Sequence, residues 1–421
     1  MKNRGWVLAA AAVSGLLLAV IIGLFVRQGM ENTYTASEHL AKAQKESGAA
    51  GQDAGTGAER DFASGSAEPE TVRAENHEEQ ADGAGNGENI EETGTAVGES
   101  REEPAAEEPV RLIFAGDVYL SDHVLAAYEA AGGIRGVLDE TLADVIGSGD
   151  LFMVNQEFPF SSRGTPAPDK QYTFRLPPER VSLLEEMDID LVTLANNHAL
   201  DYGTEALVDT CQTLDAAGIL RVGAGENIDE AKRPVIWETK GKKIGFLGAT
   251  RVIPETSWNA SAQTPGMLAT YDPALLLEEI RRTRPLCDFL VVYVHWGIER
   301  EEHPEEYQRV LGQQYIDAGA DLVIGSHPHV LQGLEYYKGK PIVYSLGNFV
   351  FGSSIPRTAL LTVVWDGEES SLSLTPAVSS GGFTRAVTDA GEKDAFYQYM
   401  TDISYGVQVS EAGISPVSPG T

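Results

Sequence analysis

The sequence predicts an α/β fold in which a largely parallel sheet is covered by helices and accompanied by a second, mixed sheet. Short β-rich runs alternate with amphipathic helices over residues 109–421, a pattern typical of parallel sheets with helices on their faces. Two hairpin signals, Lys240-Gly241 and Lys338-Gly339, and the alternating runs Ala359–Val364 and Leu372–Leu374 indicate antiparallel additions.

The individual elements follow from apolar periodicity and from the turn residues that bound them. The predicted strands are Val110–Ala115, Leu151–Val154, Leu191–Leu194, Lys243–Gly248, Phe289–Val294 and Leu322–Ile324. The predicted helices are Pro178–Met187, Thr204–Ala217, Ala274–Arg282 and Glu305–Ala318. Gly218 and Gly319 stand where a helix C-cap favours glycine. The tail from Ser410 onward is expected to be a frayed end.

Composition excludes several classes of protein. The chain has 421 residues, with 31 Lys and Arg against 63 Asp and Glu, a formal charge of −32. Nucleic-acid affinity comes largely from basic side chains that neutralise phosphates, so we expect no nucleic-acid partner. Two cysteines, Cys211 and Cys287, are too few for a disulfide scaffold or a four-cysteine zinc module. The hydrophobic content of 42% is enough for a sizeable core.

Residues 1–30 are predicted to be a transmembrane signal-anchor. Gly5 to Val26 contains no charged residue, and these 22 residues are long enough to cross a bilayer as a helix. A cleaved signal peptide is the alternative, but the nearest small-x-small site, Ala41-Lys42-Ala43, lies well past the apolar run. Lys2 and Arg4 place the N-terminus in the cytoplasm, so we expect a single-pass protein of the cell membrane with an extracellular C-terminal domain.

Residues 31–108 are predicted to be a disordered acidic linker. They hold 20 acids and 5 bases and almost no large apolar residue, so they cannot bury enough surface to offset the entropy of ordering. The predicted folded domain covers residues 109–385, and residues 386–421 are predicted to form a C-terminal helix and tail.

Chemically active side chains follow five of the predicted strands. In open α/β sheets, ligands bind at the carboxyl ends of the strands. Four of the eight histidines fall there, together with carboxylate and amide groups. The groups at these ends are Asp117, Asn155-Gln156-Glu157, Asn196-Asn197-His198, His295 and His327-Pro328-His329.

These oxygen and nitrogen donors suit one or two divalent metal ions such as Mn, Fe or Zn. Six of them would suffice as metal ligands: Asp117, Glu157, Asn197, His295, His327 and His329. Two ions can generate a hydroxide nucleophile and stabilise an in-line displacement. His198, which binds no metal in this interpretation, is the candidate catalytic residue that protonates the leaving group.

Several other residues have simpler interpretations. Asn196 is assigned to turn formation, Trp296 to core packing, and Cys211 to apolar filling beside Leu207 and Leu214. The remaining histidines, including a weak ligand candidate at position 123, are interpreted as structural or solvent-exposed side chains: His39, His77, His123 and His303.

Lys170 and Arg175 are basic residues in the segment after Glu157. If they face the metal edge, they can hold a phosphate or an anionic polymer substrate by charge-assisted hydrogen bonds. Pairing with surface acids is the equally weighted alternative.

Six sequence blocks, in order, resemble the capsule-synthesis protein CapA family, which is associated with poly-γ-glutamate production and built on a calcineurin-like metallophosphatase fold. The blocks are FAGDVYL (114–120), NQEFPFSSRGTPAPDKQYTFR (155–175), TLANNHALDYG (193–203), VHWGIE (294–299), IGSHPHVLQ (324–332) and YSLGNFVF (344–351). The resemblance implies a four-layer α-β-β-α sandwich with two mixed sheets and metals at the sheet edge.

The resemblance also implies roles for individual residues. It matches the six metal ligands and His198 named above, and it places Asn348 as a residue that lines the site, against a simple turn role. Two positions depart from the wider metallophosphatase pattern. Tyr119 stands where many such enzymes have a histidine, and Glu157 where many have a bridging aspartate. A missing imidazole weakens the first metal position, so one ion or two remain open.

Three functions therefore stay open. The leading hypothesis is an anchored protein of the CapA type that acts in synthesis, export or anchoring of an anionic capsule polymer such as poly-γ-glutamate, with other capsule-synthesis proteins as partners. The second is an active metal-dependent hydrolase that cleaves a phosphoester or an amide at the cell surface. The third is a non-enzymatic scaffold of a membrane polymer-synthase complex.

Overall fold

The computed structural model describes residues 71–73 and 108–417, all of which belong to one compact unit, Glu68–Thr421. The predicted signal-anchor, nearly all of the predicted linker, His39 and His77 lie outside the described residues. Within the described ranges, no helix is both long enough and apolar enough to cross a bilayer.

Nineteen strands and eight α-helices make up the described fold. The strands, in chain order, are β1 (Thr71–Arg73), β2 (Val110–Val118), β3 (Leu151–Gln156), β4 (Leu191–Thr193), β5 (Leu220–Val222), β6 (Ala224–Gly225), β7 (Val235–Thr239), β8 (Lys242–Thr250), β9 (Gly266–Met267), β10 (Phe289–His295), β11 (Leu322–Ser326), β12 (Leu331–Tyr337), β13 (Lys340–Leu346), β14 (Asn348–Val350), β15 (Ser354–Trp365), β16 (Ser370–Ser380), β17 (Phe383–Ala386), β18 (Val407–Ser410) and β19 (Gly413–Pro416). The helices are α1 (Asp122–Ala131), α2 (Glu140–Gly147), α3 (Ser182–Glu186), α4 (Thr204–Ala217), α5 (Ile228–Ala231), α6 (Ala274–Thr283), α7 (Glu306–Ala318) and α8 (Ala390–Asp402).

Two large mixed sheets organise the molecule. The ten-stranded sheet follows the path β18-β19-β16-β15-β2-β3-β4-β5, with β14 beside β2 and β17 beside β16. Its β2 to β5 part is parallel, whereas β15 to β19 are antiparallel additions. The seven-stranded sheet has the order β1-β7-β8-β10-β11-β13-β12 and a parallel centre, β8-β10-β11-β13. A third, two-stranded sheet pairs β6 with β9.

Three hydrophobic clusters separate four layers. Side chains alternate along each strand, so Leu112 and Phe114 on β2 join the central cluster while Ile113 joins an outer one. The central cluster lies between the sheets. The outer clusters join the ten-stranded sheet to α1, α2 and α4, and the seven-stranded sheet to α6 and α7. The described fold is thus an α/β sandwich of two mixed sheets with helices outside.

The main predicted elements are confirmed, with shifted ends. Four of the strands that carry chemistry run further than predicted, because ladder pairing continues into the polar residues: β2 includes Asp117, and β10 includes His295. Strand β4 instead ends at Thr193, one residue before the predicted end at Leu194. The hairpin residues Lys240-Gly241 and Lys338-Gly339 adopt positive φ angles of 50° and 73°, and of 52° and 77°, between antiparallel partners. Helix α4 has the predicted bounds, and Gly218 caps it in a left-handed conformation.

Two predictions need correction. The predicted helix Pro178–Met187 is a 3₁₀ turn, Pro178–Val181, followed by the short helix α3. The frayed end predicted from Ser410 onward is wrong for Gly413–Pro416, which forms β19. This strand pairs with β18 and, through Ile414, with Leu372 of β16, and Ile414 is buried in the central cluster. The sequence did not predict this strand because glycine and proline are uncommon inside strands.

Candidate metal centre

The carboxyl ends of parallel strands from both sheets meet at one edge of the sandwich. Close backbone contact there requires glycine. A Cβ atom on Gly116, just before Asp117, would lie 1.8 Å from the carbonyl oxygen of Gly347. A Cβ on Gly325 would lie 2.0 Å from the Tyr344 carbonyl oxygen. These glycines let the strand ends approach closely enough to bring their polar side chains together.

Asp117, Glu157 and His295 form a first group of potential metal ligands. All three side chains are fully buried, and one ligand atom from each lies within 4.8 Å of the other two. Glu157 Oε1 is 3.5 Å from His295 Nε2. The same Nε2 atom is 2.8 Å from Asn197 Oδ1, so this amide oxygen, carried by the segment after β4, is turned toward the same group.

Glu157, His327 and His329 form a second group with the same closeness. Glu157 Oε2 is 3.9 Å from His329 Nδ1, and Asp117 Oδ2 is 3.4 Å from that nitrogen. Glu157 belongs to both groups. The structure therefore brings together all six predicted ligands, with one carboxylate shared between two clusters.

The donor set fits a cation because several of its buried polar atoms have no hydrogen-bond partner. Both carboxylate oxygens of Glu157 and the Nδ1 atom of His327 are buried and have no hydrogen-bond partner. Buried polar atoms in folded proteins are almost always paired, and an unpaired buried carboxylate is costly. One or two divalent ions held by oxygen and imidazole donors would satisfy these atoms.

Burial and the charges of neighbouring side chains shift the pKa values of the residues in the cluster. Burial, and then the nearby Asp117 carboxylate, raise the pKa of Glu157 well above its ordinary value. Burial lowers the pKa of His295 well below its ordinary value and that of His327 to about 3, which keeps both imidazoles in the neutral form that binds metals. Burial opposes protonation of His329 as well, yet the Glu157 and Asp117 carboxylates raise its pKa to about 10. A bound cation would take the place of that proton.

The backbone around the two histidines is strained. His327 and His329 have φ angles of 101° and 59°, which non-glycine residues rarely adopt, and such strain concentrates at functional sites. The His327 amide donates to Asp117 Oδ2 at 3.3 Å. Asn348 pairs in register with Asp117 and places its Oδ1 atom 2.7 Å from His329 Nδ1, so Asn348 lines the cluster.

His198 lies beside the cluster in a network of its own. Its Nδ1 is 2.6 Å from Asp201 Oδ2. Because an ionised carboxylate only accepts, Nδ1 carries the proton, which leaves Nε2 as the reactive nitrogen. Burial lowers the pKa of His198. Lys170 contacts Asp201 Oδ1 and lies 3.0 Å from His198 Nδ1.

Arg175, the other basic candidate, is engaged elsewhere. It donates to the Arg163 carbonyl at 2.9 Å and lies 3.9 Å from the centre of the Tyr202 ring. None of its described contacts is to a predicted metal ligand.

The residues interpreted above as turn formers, core residues or surface residues lie where those interpretations expect them. Asn196 is buried in a turn and donates to Asn155 Oδ1 and to the Gln156 carbonyl. Trp296 donates to the Tyr344 carbonyl within the core. His123, on α1, and His303 are exposed. Both cysteines are buried and free, and burial raises the pKa of Cys211 to about 12 and that of Cys287 to about 11.

Sequence reasoning gave no role in the site to three supporting residues, of which Asn155 was named only as one of the groups that follow a predicted strand. Asn155 Nδ2 is 2.7 Å from Asp117 Oδ1 and 3.3 Å from His295 Nδ1, and Ser326 Oγ is 3.1 Å from the same His295 nitrogen. Asp201 completes the His198 pair. Each stands within three residues of a candidate, a signal that could have found them because the elements there are tight turns and strand ends.

The chain belongs to the family described as bacterial capsule synthesis protein PGA_cap, which residues 111–353 match. It is 33% identical over 247 residues to the PGA biosynthesis protein CapA of Bacillus subtilis (strain 168), a match that covers 58% of this chain and 64% of that protein. It is 30% identical over 311 residues to the capsule biosynthesis protein CapA of Bacillus anthracis, a match that covers 71% of this chain and 75% of that protein. A probable polyglutamine synthesis accessory protein of Mycobacterium tuberculosis (strain ATCC 25618 / H37Rv) is 31% identical over 52% of this chain and 58% of its own length.

Solved structures give weaker likenesses. A putative 5′-nucleotidase from Staphylococcus aureus has a TM-score of 0.40 and 16% identity, and covers 70% of this chain and 58% of that chain. A hypothetical protein from Thermus thermophilus has a TM-score of 0.40 and 18% identity, over 64% of this chain and 98% of that chain. The family assignment rests on the sequence matches.

Proposed function

We propose that the chain is a membrane-anchored extracellular protein of the CapA type that acts in synthesis, export or anchoring of an anionic capsule polymer such as poly-γ-glutamate. The observation that carries the proposal is the family match over residues 111–353, together with relatives named for capsule and PGA biosynthesis. Other proteins of the polymer-synthesis machinery are its proposed partners, in keeping with the accessory role named in a mycobacterial relative.

The proposed location is supported by sequence. The uncharged run from Gly5 to Val26 is long enough for a membrane helix, and Lys2 and Arg4 precede it. The acidic segment 31–108 would then act as a solvated spacer between the bilayer and the domain.

Gene deletion in the source bacterium tests this function. We expect surface polymer to fall and the full-length gene supplied in trans to restore it. The polymer is first separated from the washed cells and from their proteins, and is then measured as the glutamate that acid hydrolysis releases from it. An unchanged amount of surface polymer after deletion would contradict the proposal. Protease added to intact cells should remove the domain if it is extracellular.

A second candidate function is metal-dependent hydrolysis of a phosphoester or an amide. The observation that favours it is the carboxylate of Glu157 shared between two ligand groups, with His198 beside them. When bound, two divalent ions supply Lewis acidity to such a substrate. Asp117, Glu157, Asn197, His295, His327 and His329 would hold them. His198 would act in its imidazolium form, which the Asp201 carboxylate favours. In that form Nε2 also carries a proton, and this proton would pass to the leaving oxygen or nitrogen.

Metal analysis and a substrate screen test this second function. We expect the purified full-length protein in detergent to contain about two divalent ions and to cleave a generic phosphoester or amide substrate, and His198→Ala to lose the cleavage but keep the metal. His123→Ala, which removes an exposed imidazole, is the control and should change neither. Metal binding without turnover would instead favour a non-enzymatic scaffold whose metal serves stability.

A further inference from the structure

The segment after Glu157 closes into a loop that lies against the turn carrying His198. The neck of this loop is held by hydrogen bonds from the Ser161 amide to the Leu176 carbonyl, 2.9 Å, and from the Leu176 amide to the Pro159 carbonyl, 3.0 Å. Residues 162–175 therefore leave and rejoin the fold at one point, as in a compact surface loop. We call these residues the clamp loop.

The backbone of the clamp loop packs directly on the His198 turn. The Ala167 amide donates to the Asp201 carbonyl at 2.8 Å. A Cβ atom on Gly164, whose φ is 87°, would lie 1.9 Å from the Tyr202 carbonyl oxygen. Only glycine allows this approach, so the loop and the turn are fitted together over several residues.

Two residues of the clamp loop bind Asp201, the residue that pairs with His198. Asp201 is fully buried. Its Oδ2 atom accepts from His198 Nδ1 and from the Phe174 amide, both at 2.6 Å. Its Oδ1 atom accepts from Lys170, which also donates to the Asn197 carbonyl. The clamp loop therefore fixes the Asp201 carboxylate through both oxygens.

The imidazole itself is held on its face. The Phe174 ring stacks on the His198 ring with centroids 4.1 Å apart and planes 20° apart. Tyr119 also stacks on Phe174, with centroids 4.0 Å apart and planes 18° apart. Tyr119 is the residue found where many metallophosphatases have a histidine, so here the position supports the stack that orients the imidazole.

The charge of Lys170 is directed at protein groups rather than at solvent. Its side chain is only 14% exposed and forms an ion pair with the fully buried Asp201 carboxylate. The ammonium also lies 5.2 Å from the centre of the Trp258 ring, which belongs to the segment that follows β8. A lysine bound in this way is poorly placed to hold a polymer as its main task.

We propose that the clamp loop is the device that orients His198, and that Lys170 and Phe174 are positioning residues that fix the Asp201–His198 pair and the plane of the imidazole. The inference rests on the second proposed function, because it assigns His198 its proton transfer. Misplacement of a reacting group by about 1 Å can cost roughly 10²-fold in rate. The loop would therefore set the rate of leaving-group protonation without touching substrate.

Histidine nuclear magnetic resonance on the full-length chain in detergent tests the orientation directly. We expect the His198 signal, assigned by its loss in His198→Gln, to show a proton on Nδ1 that exchanges slowly with water. In Lys170→Met this proton should exchange at least tenfold faster, and Lys170→Arg should recover most of the protection. Lys393→Met removes a lysine paired with Glu411 on the surface and should leave the signal unchanged.

A Lys170→Met protein with the wild-type His198 signal and exchange rate would overturn the proposal. If Lys170→Met does not fold, Phe174→Leu decides, since it removes the stacked ring and keeps the backbone donor. We expect faster exchange at His198 in this variant, and an unchanged signal would equally overturn the proposal.

Kinetics separate this inference from the function on which it rests. If the wild type turns over a substrate, Lys170→Met should lower kcat about 10²-fold with KM little changed, whereas loss of a substrate contact would raise KM. If no variant turns over any substrate, the hydrolase function fails, and the exchange measurement still decides whether the loop orients the imidazole.

Discussion

Glu157 is the residue on which the candidate metal centre depends most. It is fully buried, belongs to both ligand groups, and has no hydrogen-bond partner at either carboxylate oxygen. A buried carboxylate without a hydrogen-bond partner is a large free-energy cost that a bound cation would remove. Loss of its charge should therefore affect both ions at once.

Replacement of Glu157 by glutamine should reduce the metal content of the purified protein from about two ions to less than one. The metal-free variant should unfold at a denaturant concentration close to that of metal-free wild type, because the amide loses the repulsion by Asp117 and the attraction to His329 together. Plasma mass spectrometry and urea unfolding check the two parts. Glu299→Gln, which neutralises an exposed acid that raises the pKa of Glu157, should keep its metal. Normal metal content in Glu157→Gln would refute the shared role.

Acid should destabilise the metal-free protein through His327. Burial lowers its folded-state pKa to about 3 from an ordinary value of 6.5. Below about pH 6.5 the unfolded chain therefore takes up a proton that the folded chain does not, and stability falls as the pH falls toward 3. The free energy of unfolding of wild type, relative to His327→Gln, should drop by up to about 1.4 kcal/mol per pH unit in this range. Urea unfolding in a chelator at pH 7, 6 and 5 checks this, and parallel pH profiles would contradict it.

Residue chemistry was largely predictable at the strand ends. Two motifs were predictable because their polar residues closely follow buried apolar runs. These are the pair His327 and His329 and the pair Asn197-His198. Asn155 and Asp201 were not predictable, since a lone amide or carboxylate is usually a turn former or cap. The role of Asn155 depends on which strand ends become neighbours, and the sequence does not specify that order. Asp201 lies three residues after His198 and contacts it within one turn.

Among the elements, the close contact between β2 and β14 has the sharpest requirement. The Asp117 amide donates to the Gly347 carbonyl at 2.8 Å, and Gly116 faces the same oxygen with no room for a Cβ. The pairing of β2 with β14 places Asp117 opposite Asn348. The spacing between the strands therefore sets the position of two residues that line the site.

Alanine at Gly116 should destabilise the fold by about 3 kcal/mol or more, because backbone must move to relieve the overlap. Thermal unfolding of metal-free protein measures the effect. Gly147→Ala is the matched control, since a Cβ there meets nothing within 4 Å at the end of α2, and it should be neutral or slightly stabilising. Equal melting temperatures for the two variants would show that the contact between Gly116 and the Gly347 carbonyl leaves room for a Cβ atom.

Element ends depended on tertiary pairing. Helix α4 was predictable to the residue because Gly218 terminates it locally. The 178–187 segment contains an α-helix only from Ser182, since Pro177 and Pro178 favour an extended or 3₁₀ start. Strand β19 exists through its pairing with β18, one ladder contact with β16 and the burial of Ile414, which no local pattern displays.

On the scale of the whole molecule, the candidate metal centre draws its ligand residues from both sheets. Asp117, Glu157 and Asn197 come from the ends of β2, β3 and β4 in the ten-stranded sheet. The three histidines come from the ends of β10 and β11 in the seven-stranded sheet. A cation held by both sets would add its binding energy to the stability of the complete sandwich.

Chelation should therefore lower the melting temperature of the entire domain in one cooperative step. With free metal at about 100 times its dissociation constant, the lost stabilisation is about 2.7 kcal/mol, which corresponds to roughly 4 °C for a domain of this size. Calorimetry with and without a chelator checks this, and Glu157→Gln should show a much smaller shift. An early transition confined to one part of the domain would contradict a centre that joins both sheets.

The two free, buried cysteines have a consequence for where the protein can mature. Cys211 and Cys287 are both buried and unpaired, and the sequence contains no other cysteine. Folding thus requires no oxidant and no thiol–disulfide isomerase. A chain of this kind can reach its native state beyond the plasma membrane of a bacterium that provides no oxidative folding catalyst there, and it tolerates a reducing milieu equally well.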